Sequence, residues 1–154
     1  MYIAKKQFIV LWRTNMDVKK EFEKIMGEVD TFALASSVDD IPNVRFLNFV
    51  YTNEESILYF QSPKEAPKGK EFEINNNVAF VTFRTKDFGL VRVHHATVKK
   101  SKKTIFDVQN LFIEKMPFYK NLIEQHGNGM ELYEIHFSKV KVFSGPDNFV
   151  EIEL

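Results

Sequence analysis

Cysteine is absent from this 154-residue chain, which removes disulfide staples, thiolate nucleophiles and cysteine-ligated zinc or iron–sulfur centres. Any redox chemistry must therefore come from a bound cofactor. Net charge is absent as well: 21 Lys plus Arg balance 21 Asp plus Glu, so no overall field draws nucleic acid or an anionic membrane. No apolar run approaches the about 20 residues that span a bilayer. The run Phe8-Ile9-Val10-Leu11-Trp12 is too short for a signal-peptide core, and no small-residue cleavage site follows it. The expectation is a cytoplasmic protein without nucleic-acid or membrane partners. Internal repeats, low-complexity tracts and linker-like stretches are also lacking, so residues 1–154 read as one domain, with 1–15 a possible extension whose Ile9, Leu11 and Trp12 favour burial.

What is present is a large apolar complement, 44% hydrophobic residues with sixteen Phe, enough for a real core. The stretch from Pro42 to Lys68 organises it. Runs 42–51 and 56–62, rich in Val, Phe, Leu and Tyr, flank polar Thr52-Asn53-Glu54-Glu55 and read as a β-hairpin. The first run is apolar on both faces, Val44, Phe46 and Val50 on one and Leu47, Phe49 and Tyr51 on the other, so it needs cover on both sides. Arg45 interrupts it, and Lys68 is the next cation that could meet it. A guanidinium and an ammonium beside aromatic side chains suit a planar ligand carrying a phosphate. An edge-strand arginine and solvated surface lysines are the alternative, and the residues alone leave both open.

In chain order, Val18, Phe22, Ile25, Met26 and Val29 recur on one face of a helix over 17–29, with Asn15 or Asp17 available as its cap; it reads as a lid on a sheet. Strands are expected over 31–37, 78–85, 90–99, 130–137 and 140–144, beside those of the hairpin, and a short helix over 68–75 after Pro67. A helix over 104–115 is interrupted by Pro117, and a second runs to about Gln125. Gly127-Asn128-Gly129 ends it with residues tolerant of positive φ, and Gly145-Pro146-Asp147-Asn148 breaks the pattern before a short tail. Strands joined by short turns, not crossover helices, argue for a mainly β antiparallel barrel with peripheral helices.

Five segments then follow in an order that resembles a known family. Thr31-Phe32-Ala33-Leu34-Ala35-Ser36-Ser37 precedes Pro42-x-Val44-Arg45, and Leu58-Tyr59-Phe60-Gln61-Ser62 with Ala66-Pro67-Lys68 precedes Asn76-Asn77-Val78-Ala79-Phe80. Together they resemble the pyridoxamine 5′-phosphate oxidase-like family of FMN-binding split barrels, from about Phe22 to about Val98 and more loosely to Phe143. The resemblance implies FMN at a homodimer interface and a flavin-dependent oxidoreductase acting on a small-molecule substrate or electron donor. It implies that Arg45 and Lys68 hold the phosphate, that the main chain of Phe46, Leu47 and Asn48 runs along the ring system, and that Phe60, Gln61 and Ser62 line its other edge or the ribityl chain.

The departures are specific. Ala66 stands where the family has a hydroxyl residue, Pro67 where a basic residue is sometimes found, and His94 where a strand glycine is common. The C-terminal tryptophan and Arg-x-His pattern of true pyridoxamine phosphate oxidases are missing, so vitamin B6 oxidation is not expected. A barrel that binds flavin or haem as a carrier or sensor without turnover therefore stays open, as does a purely structural barrel.

No catalytic side chain is singled out, and no metal site. His94 and His95 are adjacent in a strand, which is expected to send them to opposite faces; His126 and His136 complete no ligand set. The run Lys99-Lys100-Ser101-Lys102-Lys103 lacks aromatic interleaving and reads as a solvated turn. There is no nucleophile elbow and no glycine-rich phosphate loop.

Overall fold

The computed structural model describes residues 15–146 and 148–154, so the expected packing of Ile9, Leu11 and Trp12 lies outside the described residues. Helix α1 (Asn15–Glu28) begins two residues before the expected start, with Asp17 in its first turn where a carboxylate suits the helix dipole. Its Val18, Phe22, Ile25 and Met26 are buried, and it lies against strands β3 (Val50–Thr52), β6 (Leu90–Lys100), β8 (Lys139–Gly145) and β9 (Asn148–Glu153). The remaining strands are β1 (Thr31–Val38), β2 (Ile41–Asn48), β4 (Ile57–Pro63), β5 (Asn77–Thr82) and β7 (Met130–His136). Helix α2 (Pro67–Ile74) follows β4, and a helical hairpin, α3 (Gln109–Lys115) and α4 (Tyr119–His126), lies between β6 and β7.

All pairings are antiparallel, in the order β2-β1-β5-β6-β7-β4-β3 with β8 and β9 branching from β6. The two ends of that path are one stretch of chain. β2 and β3 are separated by Phe49 alone, so the sheet curls into a half-barrel whose ends are tied by a covalent corner. Phe49 is fully buried, its N–H donates to the Asp30 carbonyl at 3.0 Å, and its ring meets Phe32 edge-on at 5.3 Å. The Lys115 ammonium sits 3.9 Å from the centre of the same ring and donates to the Met26 carbonyl at 2.8 Å, fastening α3 to the end of α1.

Turn chemistry follows the residues. Asp39 and Asp40, at φ 53° and 62°, form the two-residue loop between Val38 and Ile41, the geometry that matches strand twist in a tight hairpin. Gly127-Asn128-Gly129 corrects an expectation: no glycine among the described residues has positive φ, and the segment is a 3-10 turn. Gly127 is needed because a Cβ there would lie 2.6 Å from the Phe106 ring. Gly145 and Pro146 do not end the sheet either. Gly145 pairs with Asn148, and the expected tail is β9, which turns Val150 and Ile152 toward the core.

The double cover expected of the first run of the hairpin is missing on β2, whereas β4 has it. Leu58 and Phe60 enter the barrel core, while Tyr59 faces outward under Ile105, Phe112, Tyr119 and Ile123 of the helical hairpin. On β2, Val44 is 65% and Phe46 68% exposed. Among the described residues β2 pairs with β1 alone and is an edge of the sheet.

Burial depresses the Lys115 ammonium to about 8, with Asp30 opposing the shift. Below pH 8 folded and unfolded chains both carry that proton. Between about 8 and the ordinary lysine value of 10.5 the unfolded chain binds more protons, so stability rises with pH. Burial raises Tyr51, Tyr59, Tyr119 and Tyr133 above their ordinary value, and wild type and a Lys115 variant share them, so they cancel in a comparison of the two. Wild type should therefore gain about 1–3 kcal/mol relative to Lys115→Met between pH 8 and 10. Parallel urea titrations of the two proteins across that range check it, and a constant difference would contradict it.

Candidate functional site

Where α2 crosses the open end of β1 and β2, three side chains surround one carboxylate. Leu34 is the cross-strand partner of Arg45, and buried Leu34 points into the barrel, so Arg45 turns inward at the mouth. Its Nη2 donates to Glu71 Oε2 at 2.7 Å and its Nη1 to Ser36 Oγ at 3.0 Å. Ser36 Oγ donates in turn to Glu71 Oε2 at 2.9 Å, and Asn43 Nδ2 donates to Oε1 at 3.1 Å. The guanidinium also lies 5.8 Å from the centre of the Phe72 ring. Asn75 fastens the end of α2 by donating to the Ser37 carbonyl at 2.9 Å.

Burial pushes the Glu71 carboxyl up, but hydrogen bonds from Ser36 and Asn43 and the charge of Arg45 outweigh it and leave the group below its ordinary value. Lys68, one helical turn before Glu71, is depressed by partial burial and then by Arg45, with Glu71 offsetting part of the effect. Among the described residues no carboxylate lies within 4.0 Å of the Lys68 ammonium. The mouth thus holds two cations and one internal anion, the anion in a nest of charge-assisted donors of the kind that grips a phosphate.

Arg45 and Lys68 are brought together. The other six expected site residues are spread over three environments. Phe46 points outward and meets Phe83 edge-on at 5.1 Å, whereas Leu47 packs on the core. Asn48 Nδ2 donates to the Asp30 carbonyl at 3.3 Å and to Thr31 Oγ1 at 3.2 Å. The Phe60 side chain is wholly within the core, stacked on Tyr133 at 5.3 Å. Gln61 turns outward to the Tyr119 hydroxyl, and buried Ser62 donates to the Pro63 carbonyl at 3.3 Å. Any ligand contact from Phe60 is therefore restricted to its main chain. Ser36, Asn43 and Glu71 were not anticipated. Their signal was present in the spacing: Ser36 pairs with Asn43 across the hairpin, and Glu71 stands at i+3 from Lys68 on one helix face.

A second feature corrects the reading of the adjacent histidines. The β5–β6 register slips between Val78↔Ala96 and Phe80↔Val93, so two residues of β6 oppose Ala79. At this β-bulge His94 and His95 are both exposed while Val93 and Ala96 are buried, which puts both imidazoles on the outer face. They line one groove of about 780 Å³ with His136 and Phe137. Among the described residues, no group of three or more His, Asp or Glu is arranged to hold a metal ion.

A curled antiparallel half-barrel with a cation-bearing mouth defines a protein of the split-barrel class. The chain belongs to the pyridoxamine 5′-phosphate oxidase-like family, whose sequence profile matches residues 25–148. No curated protein sequence matches significantly. Among solved structures, general stress protein 26 from Bacillus anthracis aligns with a TM-score of 0.66 at 17% identity, over 89% of this chain and 98% of its own. A FAD-binding protein from Mesorhizobium loti aligns with a TM-score of 0.59 at 16% identity, over 79% of this chain and 89% of its own. A heme binding protein from Mycobacterium smegmatis aligns with a TM-score of 0.70 at 10% identity, over 92% of this chain and 59% of its own. At these identities the likeness concerns the fold. No helix among the described residues is long and apolar enough to cross a membrane.

Glu71→Gln should cost about 1–3 kcal/mol at neutral pH, because it leaves the half-buried Arg45 guanidinium without a counter-charge. A depressed carboxylate contributes above its unfolded value and loses that contribution as pH falls through the folded one, so the deficit should shrink in acid. Denaturant midpoints of both proteins at neutral and acid pH test this.

Proposed function

We propose that the protein is a homodimeric FMN-binding flavoprotein acting as a flavin-dependent oxidoreductase. The reading is carried by the Arg45–Lys68 pair: two cations at the barrel mouth, one without a carboxylate partner among the described residues, beside a nest of donors shaped for anionic oxygens. These residues fit a flavin phosphate on one condition. Glu71 occupies the inner donors, so a phosphate must share Arg45 with it or displace it, and Lys68 supplies the charge that makes exchange favourable. Ala66 adds no hydroxyl, which leaves Ser36 and Asn43 as the neutral donors of the cluster. FMN held there would supply the electron transfer, and the protein would supply orientation and electrostatic tuning.

The dimer reading rests on the outer face of the sheet. Cross-strand neighbours there run Phe46–Ala33–Val81 and Val44–Ala35–Ala79 across β2, β1 and β5, an uncharged floor of small and apolar residues with no covering layer among the described residues. With Val44 65% and Phe46 68% exposed along its edge strand, such a face suits a second copy of itself.

A second reading, a barrel that carries or senses flavin or haem without turnover, is favoured by the occupation of Arg45 by Glu71 and by the heme binding protein among the structural neighbours. Absorbance separates the two. A yellow protein bleached by a reduced nicotinamide supports the oxidoreductase; a Soret band, or a sample that ignores FMN, supports the carrier.

Titration of apo-protein with FMN, followed by fluorescence quenching, should show about 10-fold or greater weakening in Arg45→Ala and in Lys68→Ala. Glu71→Gln should bind FMN more tightly than wild type. Unchanged affinity in both cation variants would refute the phosphate site. For the dimer, wild type should sediment at about twice 18.1 kDa and Phe46→Asp near 18.1 kDa.

A further inference from the structure

β6 serves two partners in turn. Its first residues, Leu90 to Arg92, pair with β8, and its last, Thr97 to Lys100, pair with β7. Between them, residues 93–96 have no ladder partner on that side among the described residues, because β7 ends at His136 and β8 starts at Lys139. The barrel splits at this point, and the His94–His95 bulge lies in the gap. The groove of about 780 Å³ occupies it, and a second of about 310 Å³ continues it toward Arg92 and Lys141; His94, His95 and Ser138 line both.

The charges in the second groove are arranged against their own stability. Arg92 and Lys141 are direct cross-strand partners, and like charges so placed repel. Lys24, Arg45, Lys99, Lys100, Lys103 and Lys139 each have a carboxylate within 4.0 Å, whereas Arg92 and Lys141 have none among the described residues. Glu151 is the cross-strand neighbour of Lys141 and lies on the groove wall, yet the Lys141 ammonium lies instead 5.1 Å from the centre of the Phe149 ring. His94, which lines the same groove, is held below its ordinary value by desolvation and then by Lys141, Arg92 and His95, with Glu151 opposing. The first groove offers the opposite character. Val78, Ala96 and Phe137 line it, with His136 held at its edge by the Glu134 carboxylate at 2.8 Å.

We infer that the split between β7 and β8 is a binding site for an amphipathic anion, a flat apolar body carrying a carboxylate or phosphate. The head group lies between Arg92 and Lys141, the body lies along Val78 and Phe137, and the bulged histidines with the unpaired main chain of residues 93–96 supply polar contacts between them. An anion at Arg92 and Lys141 turns a repulsive pair into a clamp, and Arg92 can fork onto two of its oxygens. Neither groove is lined by Arg45 or Lys68, so the site does not rest on the flavin reading.

Calorimetric titration of the full-length protein with 2-naphthoate, 2-naphthyl phosphate and the neutral 2-naphthamide tests it. At least one anion should bind 10-fold or more tightly than the amide, and the better of the two names the head group. The preference should fall with added salt and collapse in Arg92→Ser/Lys141→Ser, whose affinity for FMN should match wild type. Lys141→Gln alone should weaken anion binding while melting no lower than wild type, because it relieves the repulsion. Amide NMR shifts on naphthoate binding should centre on residues 92–97 and 136–141. Equal binding of amide and anions, retained affinity in the variants, or shifts confined to residues 33–46 would each overturn the inference.

Discussion

The architecture depends on one corner. A sheet whose two ends are adjoining parts of a single segment cannot uncurl without breaking the bend at Phe49, and that bend is secured from four directions. Its amide is bonded to Asp30, its ring is packed on Phe32, its face carries the Lys115 ammonium, and that ammonium reaches back to Met26. Burial of the ring and the cation–π contact place a charge where charge is disfavoured, so α1 and α3 are held to the corner by an interaction that is strong only because water is excluded from it.

From the corner, each face of the sheet acquires a separate role. The concave face and α1 form the core. The convex face is divided into three: the helical hairpin covers β3, β4 and β7; small and apolar residues floor β2, β1 and β5; cations and imidazoles gather on β6 and β8. A single cross-sheet row shows the last transition, Phe46–Ala33–Val81 giving way to Arg92–Lys141–Glu151 within six strands. The inward-turned Arg45 stands apart from both outer regions, at the mouth with Ser36 and Glu71.

Much of the fold was legible because its elements obey local rules. The α1 stripe, the apolar runs of β1 and β4 and the proline at the start of α2 all read correctly, since periodicity and turn chemistry are properties of neighbouring residues. The misses occurred where neighbours are distant. β9 looked like a tail because Gly145-Pro146 ends a pattern equally well in a hairpin and at a terminus, and only pairing with β8 decides between them. The histidine pair was assigned to two faces because strict alternation hides a bulge that the β5 register imposes. At the site, Arg45 and Lys68 could be paired through resemblance. The carboxylate that occupies Arg45 required knowing that α2 lies across β1, which composition and spacing do not state.

The order of the strands also bears on synthesis. β1 with β2, and β3 with β4, are neighbours in sequence and can pair as soon as they leave the ribosome. β4, however, meets its second partner only when β7 emerges, with Ser62 opposite Glu131 roughly seventy residues later, a wait of several seconds at typical elongation rates. Throughout that interval Leu58, Tyr59 and Phe60 lie beside an open strand edge, which makes the nascent chain, more than the finished barrel, the form of this protein most exposed to aggregation.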